Sequence, residues 1–347
     1  MAKLTEAELK KQIKAGSFSP AYVIYGSEQL LIKRYTEKLT EAVAGKTPSD
    51  FNYHVFSGEI NLDDFAASLQ IVPFMGNCNC VVVNDIFFDE MNKDELDRFK
   101  EITAKPYEGT VLIISMPTYI PSRNKAAFTS LVKRVEKYGS TCEFSKLNQS
   151  MLEKYIAKWA NENGKFISHI NASKLVTYCG DDLNLLKNEI DKICAYAKGE
   201  EITLEDIGKL ATVNLEAKVF ALSDAVLKGD GQRAYNVLDT LFYQREEPIS
   251  MLYVLSMSYI DAYRIRVADE CGVSKDEVAR DFVYKNRAFT LDNARRATAR
   301  VSTEALRKSL DVLVDADIRL KTSSVSPRVY MEQVIAQLLL IAREGRV

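Results

Sequence analysis

The chain has 347 residues, of which 47% are hydrophobic and 27% are charged, and its formal net charge is -2. This composition is that of a globular protein, and the length predicts about two or three domains rather than one core. The small net charge excludes a uniformly basic nucleic-acid-binding protein. No apolar run reaches the roughly 18 residues of a membrane span. The six cysteines are scattered, which indicates reduced thiols in a cytoplasmic protein.

Residues 20–145 alternate predicted strands with predicted helices. Apolar or alternating runs predict strands at 21–25, 51–56, 81–83, 111–115 and 141–144. Apolar residues at helical spacing predict helices between these strands. Before them, Thr5 and Glu8 predict a capping box and Gly16 a helix end. Strands that alternate with helices indicate an α/β domain with a mostly parallel sheet covered on both faces.

After residue 148 the strand signals stop and every predicted element is a helix. The predicted N-caps are Asn148, Asn171 and Thr203, and the predicted helix ends are Gly164, Gly180 and Gly199. Long amphipathic helices are predicted at 217–228, 231–244, 249–270, 303–321 and 327–343. These changes predict three domains: an α/β domain at 1–145, a small helical domain at 146–212 and a larger helical domain at 213–347.

The turn after the first strand is where a nucleotide would bind in such an α/β domain. A phosphate-binding loop needs glycine for close backbone approach, lysine for charge, and Ser or Thr for magnesium. Counting from Gly26, the required positions hold Leu31-Ile32-Lys33, which predicts no functional phosphate loop. Leu31 and Ile32 are instead expected in the core. Asp85 follows a Val-rich strand, as a magnesium carboxylate does, but it lacks an adjacent acid and is interpreted as a turn residue.

Residues for other catalytic chemistry are sparse. Neither of the two histidines, His54 and His169, supports a nucleophile–histidine–acid triad, and His54 is expected to be half-exposed. Cys78 and Cys80 lack neighbouring Cys or His ligands for zinc. We therefore expect no catalytic residue, no metal site and no cofactor, and we expect that the chain is not an enzyme.

The most informative stretch runs from residue 71 to residue 83. It predicts the end of a helix, a hydrophobic tip and a buried strand, because Pro73 stops regular helix before a continuous valine run. One interpretation folds Phe74 and Met75 back onto the core, since exposure forgoes burial worth about 1.5–3 kcal/mol each. The other makes them an exposed anchor for a partner protein, because an aromatic beside a thioether is typical of interface hot spots.

A local excess of basic residues lies between Arg280 and Lys308. It includes Arg295, Arg296 and Arg300. These three side chains are candidates for contact with DNA phosphates or with an acidic face of another subunit. The alternative is an ordinary solvated helix surface.

The order of these pieces resembles one known family, the delta subunit of the bacterial DNA polymerase III clamp loader, over nearly the whole chain. The matching segments are Tyr22-Val23-Ile24-Tyr25-Gly26-Ser27-Glu28 with the apolar helix that follows, Pro73-Phe74-Met75-Gly76 before a Val-rich strand, Gly180-Asp181-Asp182-Leu183, and an ending with Arg295-Arg296, Asp317, Leu320-Lys321-Thr322, Pro327 and Glu332. Two features depart from the family pattern. Many relatives carry an Arg pair in the region of Cys78 and Asn79, and a Leu-Phe tip where this chain has Phe74-Met75.

The resemblance implies an AAA+-like parallel-sheet domain without a functional P-loop, a small helical lid domain and a C-terminal helical collar domain. It also implies a role in DNA replication in the cytoplasm, without ATP hydrolysis by this subunit. Val72, Pro73, Phe74 and Met75 would bind the sliding clamp (the beta subunit) and open its ring. The collar would join the other loader subunits, gamma/tau and delta prime. Primed DNA is an expected partner of the assembled complex, and a membrane is not.

Two alternatives stay open on the sequence. An active AAA+ ATPase motor subunit of the same architecture would need the missing Gly-Lys-Thr positions. A helical adaptor unrelated to replication, with a degenerate nucleotide-binding fold, is compatible with the same elements because a fold alone does not determine function.

Overall fold

The computed structural model describes residues 3–73, 78–119, 125–282, 284 and 289–346. The chain divides into two compact units, Met1–Leu147 and Asn148–Val347. This division does not separate 146–212 from 213–347, so the boundary between a lid and a collar stays a prediction. Across the described ranges, no helix is both long and apolar enough to cross a membrane.

The first unit is built on a six-stranded sheet. Its elements, in chain order, are β1 (Lys3–Leu4), α1 (Glu6–Ala15), β2 (Ala21–Gly26), α2 (Gln29–Ala44), β3 (Tyr53–Gly58), α3 (Leu62–Leu69), β4 (Asn79–Ile86), α4 (Lys93–Ile102), β5 (Thr110–Ser115), α5 (Lys125–Val135) and β6 (Ser140–Phe144). The strand order is β1-β6-β2-β5-β4-β3, and every pairing is parallel. The first unit therefore has the parallel α/β sheet that the alternation of strands and helices predicts.

The middle strands are apolar on both faces because helices cover both. The runs at 81–83 in β4 and 111–114 in β5 are buried along their whole length, as continuous β-branched and aliphatic strands of parallel sheets are. Helix α2 packs on these two strands. Its Leu31 and Ile32 are 1% and 0% exposed, which confirms the prediction that they belong to the core.

The second unit is almost entirely helical. Its elements are α6 (Gln149–Glu162), β7 (Phe166–Ile167), α7 (His169–Cys179), α8 (Leu183–Tyr196), β8 (Glu201–Ile202), α9 (Leu204–Leu210), α10 (Leu215–Leu227), α11 (Gly231–Tyr243), α12 (Pro248–Cys271), α13 (Lys275–Asp281), α14 (Phe289–Ala297), α15 (Thr303–Thr322) and α16 (Pro327–Glu344). The five long amphipathic helices predicted from residue 217 onward correspond to α10, α11, α12, α15 and α16, with ends within two residues.

The core of these five helices is continuous. Side chains from all of them form one buried hydrophobic cluster, which includes Leu222, Leu238, Tyr259, Leu313 and Leu338. Helices α13 and α14 were not predicted individually, because a seven-residue and a nine-residue helix give too few turns for a clear periodicity.

The helix caps of the second unit follow the sequence with two exceptions. The Asn148 side chain accepts a hydrogen bond from the Met151 N–H at 3.0 Å, and Thr203 forms a capping box with Asp206. The predicted cap at Asn171 is wrong: Ser168 caps α7, and its hydroxyl accepts the Asn171 N–H at 3.2 Å. Gly199 does not end α8 either, because the C-cap is Ala197.

Short strands are the other correction. The parallel pair β7–β8 lies in the second unit, where only helices were predicted, and β1 precedes the predicted first helix. Each of these strands has two residues, which is too short to show a period of two in the sequence.

A buried carboxylate ties α8 to the chain that follows α9. Glu189 accepts a hydrogen bond from the Thr212 N–H at 3.0 Å, and its Oε2 lies 2.7 Å from the Lys192 ammonium. Burial raises the pKa of Glu189, but the hydrogen bonds from Lys192 and Thr212 lower it further, so its pKa lies below the ordinary value.

Candidate functional site

The helix before the hydrophobic tip is firmly seated on the sheet. The Asn61 side chain caps α3 by accepting the N–H groups of Asp63 and Asp64 at 2.9 and 3.2 Å. Phe65 is fully buried and its ring lies 5.6 Å from Phe56, measured between ring centroids. The amino end and the apolar face of α3 are therefore fixed, and the tip continues from its carboxyl end.

The exposed side chain at the start of the tip is Val72. It is 79% exposed, whereas its neighbours Ile71 and Pro73 are half-buried. Phe74 and Met75, the two bulky residues of the predicted anchor, lie outside the described residues. The choice between a core position and an anchor for these two side chains thus stays a prediction.

Polar side chains of the sheet hold the base of the tip. Asn79 opens β4 and is fully buried. Its Nδ2 donates to the Ser68 carbonyl at 2.8 Å and to the Thr110 hydroxyl at 3.1 Å. The Thr110 hydroxyl donates to the Leu69 carbonyl at 3.1 Å. The end of α3 is therefore bonded to the starts of β4 and β5, a set of contacts that was not predicted from the sequence.

The residues that replace the family's Arg pair are not equivalent in the structure. Cys78 is half-buried beside the tip, and all six thiols of the chain are free, as predicted. Asn79 is fully buried, and its side chain makes the hydrogen bonds just described, so it is not available at the surface. Cys80 follows in β4, and burial raises its pKa to about 12.

The first strand–helix turn is closed by backbone hydrogen bonds to β6. The N–H groups of Ser27 and Glu28 both donate to the Phe144 carbonyl, at 2.8 and 3.0 Å. Gly26 has φ of +135°, and a Cβ there would lie 2.2 Å from the Phe144 oxygen, so only glycine fits. The Glu28 carboxylate is buried and accepts the Leu147 N–H at 3.2 Å. Two of the turn amides that could face a phosphate are thus already donated to β6.

Asp85 behaves as the turn residue that its sequence context favoured. Its carboxylate accepts the Thr118 N–H at 2.9 Å, the Thr118 hydroxyl at 2.6 Å and the Tyr119 N–H at 2.8 Å. The group binds the loop after β5 and is satisfied there. Among the described residues, no group of three or more His, Cys, Asp or Glu side chains is placed to hold a metal ion.

The two histidines have different surroundings: the buried Nε2 of His54 meets no hydrogen-bond partner among the described residues, whereas His169 faces a carboxylate. His54 is half-buried in the edge strand β3, as predicted, and His169 starts α7 with its Nε2 2.7 Å from the buried Glu153 carboxylate. His54 belongs to the first unit and His169 to the second.

The basic segment is more strongly paired than its sequence suggested. Arg295 binds Asp269 of α12 through two hydrogen bonds, at 2.5 and 3.1 Å. Arg296 donates to the Asn293 side chain at 2.6 Å and to a backbone carbonyl of its own helix. Arg300 is exposed and forms no ion pair with any described residue. Arg295 is therefore a structural link between α12 and α14, and Arg296 and Arg300 are the better candidates for an outside anion.

Two further basic residues of the segment are paired with acidic neighbours. Arg280 pairs with Asp281 at 3.3 Å, and Lys308 pairs with Glu304 at 3.1 Å. Lys285 and Arg287, which contribute to the predicted excess, lie outside the described residues. Arg280 and Lys308 are therefore each paired with an acidic residue of the same segment.

Two family models match the chain. The model described as "DNA polymerase III, delta subunit" matches residues 22–145, which include the first turn and the tip. The model described as "DNA polymerase III delta subunit, C-terminal domain" matches residues 216–338, which include the basic segment.

Curated relatives agree along most of the chain. The DNA polymerase III subunit delta of Bacillus subtilis is 26% identical over 338 residues, covering 95% of both chains. The probable subunit delta of Aquifex aeolicus is 25% identical over 275 residues, covering 76% of each. The subunit delta of Escherichia coli is 20% identical, covering 92% of this chain and 91% of that one.

A solved structure matches over the same extent. The Bacillus subtilis DNA clamp loader delta protein, YqeN, superposes with a TM-score of 0.61 at 25% identity, covering 96% of this chain and 99% of that chain.

Proposed function

The chain belongs to the delta-subunit family of DNA polymerase III, and from that membership we propose that it is a non-catalytic clamp-loader subunit that binds the sliding clamp and opens the ring for loading onto primed DNA. The observation that carries the proposal is the exposed Val72 at the end of a firmly seated helix, directly before Pro73-Phe74-Met75. An apolar side chain held outside the core is suited to burial against another protein.

The energetics of ring opening require no chemistry from this subunit. A ligand shifts a conformational equilibrium only by the difference between its affinities for the two states. The tip residues Val72, Pro73, Phe74 and Met75 would supply the contact to the clamp, and the rest of the seated helix would favour the open ring. Few residues then carry most of the binding energy, as in other hot spots.

The first turn supports a non-catalytic role. A phosphate loop presents free backbone N–H groups to the nucleotide, with a lysine and a hydroxyl beside them. Here the amides of Ser27 and Glu28 are donated to Phe144, and Leu31 and Ile32 fill the core. This favours a subunit that does not hydrolyse ATP over an active motor subunit of the same architecture.

The helices from 213 to 347 are proposed to form the collar that joins the other loader subunits, gamma/tau and delta prime. Val314 and Ile318 lie one turn apart on α15 and are 63% and 56% exposed, which is consistent with a helix face used in assembly. Arg296 and Arg300 are proposed to contact primed DNA or a neighbouring subunit in the assembled complex.

A cysteine footprint with the organism's own sliding clamp tests the proposal. Cys78 is half-buried beside the tip and Cys271 is exposed at the end of α12, so one chain carries both the probe and its control. Saturating clamp should slow alkylation of Cys78 and leave the rate at Cys271 unchanged. Binding of the clamp without protection of Cys78 would contradict the assignment of the tip, and no binding at all would favour the adaptor alternative.

The same preparation tests the absence of catalysis. The purified chain is expected to show no saturable ATP turnover. Turnover that is lost when residues near Gly26 are changed would overturn the non-catalytic assignment and favour the motor subunit.

A further inference from the structure

We infer that Asn79 and Thr110 are positioning residues for the clamp-binding tip: they cap the carboxyl end of α3 from the sheet and fix where the exposed chain leaves it. This inference rests on the proposed function, because it assigns a task to the tip. It adds two side chains that contact no partner themselves and act through the backbone of α3.

The last carbonyl groups of α3 show how the capping works. The final four carbonyls of a helix have no partner within it and must be satisfied from elsewhere. Gln70 serves two of them: its side-chain amide donates to Ala66 at 3.2 Å and its N–H donates to Ala67 at 3.1 Å. The Thr110 hydroxyl serves the Leu69 carbonyl, and the Asn79 amide serves the Ser68 carbonyl, which also accepts the Ile71 N–H at 3.4 Å.

This helix end differs from the usual one. Many helices end on a glycine in the left-handed conformation, which caps the carbonyls with nearby backbone. Here Gln70 is the C-cap and has helical backbone angles. The Leu69 carbonyl is bonded by Thr110 of β5, and the Ser68 carbonyl is shared between Asn79 of β4 and the local Ile71 N–H. The direction in which the chain continues toward Val72 is therefore coupled to the sheet as well as to a local turn.

The burial of Asn79 argues that its amide has this task. The residue is 0% exposed and precedes an apolar run, where an uncompensated polar group costs about 1–3 kcal/mol. Its Nδ2 makes two hydrogen bonds, to Ser68 and Thr110, while its Oδ1 meets no partner among the described residues. The donor end of the amide is thus the end in use.

A second contact holds the chain on the other side of the exposed Val72, at Pro73. Gly109 has φ of +70°, and a Cβ built on it would lie 3.3 Å from the Pro73 ring, so Pro73 lies directly over this glycine. The Gly109 carbonyl accepts the Asn79 N–H at 2.8 Å. The chain is therefore held on both sides of Val72, at Leu69 by Thr110 and at Pro73 by Gly109.

Fixing the tip before binding strengthens the complex. A loop that must be ordered on association loses affinity for each side chain that is immobilised, and rigidity in the bound conformation removes that loss. Removing the Thr110 hydroxyl should leave the end of α3 free to fray and so weaken clamp binding while the fold persists.

The test compares two variants at the start of β5 with a control variant in α2, whose hydroxyl bonds the end of β5. Thr110→Val removes the hydroxyl and keeps the shape, and Thr110→Ser keeps the hydroxyl. Thr36→Val is the matched control: it removes a buried hydroxyl that bonds Ser115, at the opposite end of β5, at 2.8 Å. Two quantities are measured on the full chain: the dissociation constant for the sliding clamp, and amide hydrogen exchange of the segment around residues 69–73 without clamp.

Thr110→Val is expected to weaken clamp binding about tenfold and to speed exchange in that segment. Thr110→Ser should restore both quantities, and Thr36→Val should change neither, although both valine variants lose a buried, hydrogen-bonded hydroxyl. Equal clamp affinity in all three variants would overturn the positioning role, as would an equal loss in Thr110→Val and Thr36→Val. Failure of the proposed function is recognised separately, because clamp affinity would then also be insensitive to changes at Phe74 and Met75.

Discussion

The substitution Val72→Ala measures the contribution of the exposed side chain at the start of the tip. It removes two carbon atoms, each worth about 0.8 kcal/mol when buried. Because 79% of Val72 is exposed in the free chain, nearly the whole side chain is available for burial by a partner. The expected loss is about 1.3 kcal/mol, or roughly tenfold in the dissociation constant for the clamp.

The assay is a titration of the isolated chain against the sliding clamp, with a thermal melt of the same samples. Val314→Ala is the matched control, since Val314 is 63% exposed on α15 in the second unit and undergoes the same chemical change. The Val72 variant should melt at the wild-type temperature, because an exposed methyl contributes little to the core.

Two results would refute this reasoning. An unchanged dissociation constant for Val72→Ala would remove the residue from the interface. A loss of affinity of the same size in Val314→Ala would show that the effect is not specific to the tip.

Two further predictions concern the second unit. Replacing Arg296 and Arg300 together by Gln should weaken primed-DNA binding by the assembled loader most at low salt, and make the salt dependence shallower by about one to two units. Arg295 is left intact because it holds Asp269, and an unchanged affinity and slope would show that the face is merely solvated. Glu189→Gln should remove a pH-dependent part of the stability. The lowered pKa of Glu189 means that the stabilisation is complete above its unfolded value of about 4.5 and is lost as the pH falls through the folded value. Urea unfolding should therefore separate the variant from wild type at pH 7 and bring them together in acid, and a constant difference would contradict this.

Patterns of many residues carried most of the fold prediction. The valine run of β4 and the apolar faces of α11 and α15 each repeat over several residues, so burial and period can be read directly. The absence of phosphate-loop residues could also be read from a short stretch, because three consecutive positions decide it. Elements of two residues, such as β1, offer no repeat and were missed.

Contacts between residues far apart in the sequence limited how much of the candidate site could be predicted. Asp269 lies 26 residues before Arg295, so the pairing that removes this arginine from the free basic surface was not evident in the sequence. Asn79 and Thr110 lie 31 residues apart and meet only because β4 and β5 are neighbours. In the sequence, the only hint of these contacts was a polar Asn directly before the valine run. Its partners could be identified only from the register of β4 against β5.

The most direct test of the central claim is a paired measurement on one protein, Phe74→Ala/Met75→Ala: its melting temperature and its affinity for the sliding clamp. If the two side chains are the clamp anchor, the melting temperature stays near that of the wild type. Clamp binding then weakens roughly thirtyfold or more, as expected for the loss of hot-spot contacts of about 2 kcal/mol. If they are core residues, the cavity destabilises the fold by several kcal/mol, on the order of 2–5 for one large side chain. A large fall in melting temperature, or an unchanged clamp affinity, would contradict the account.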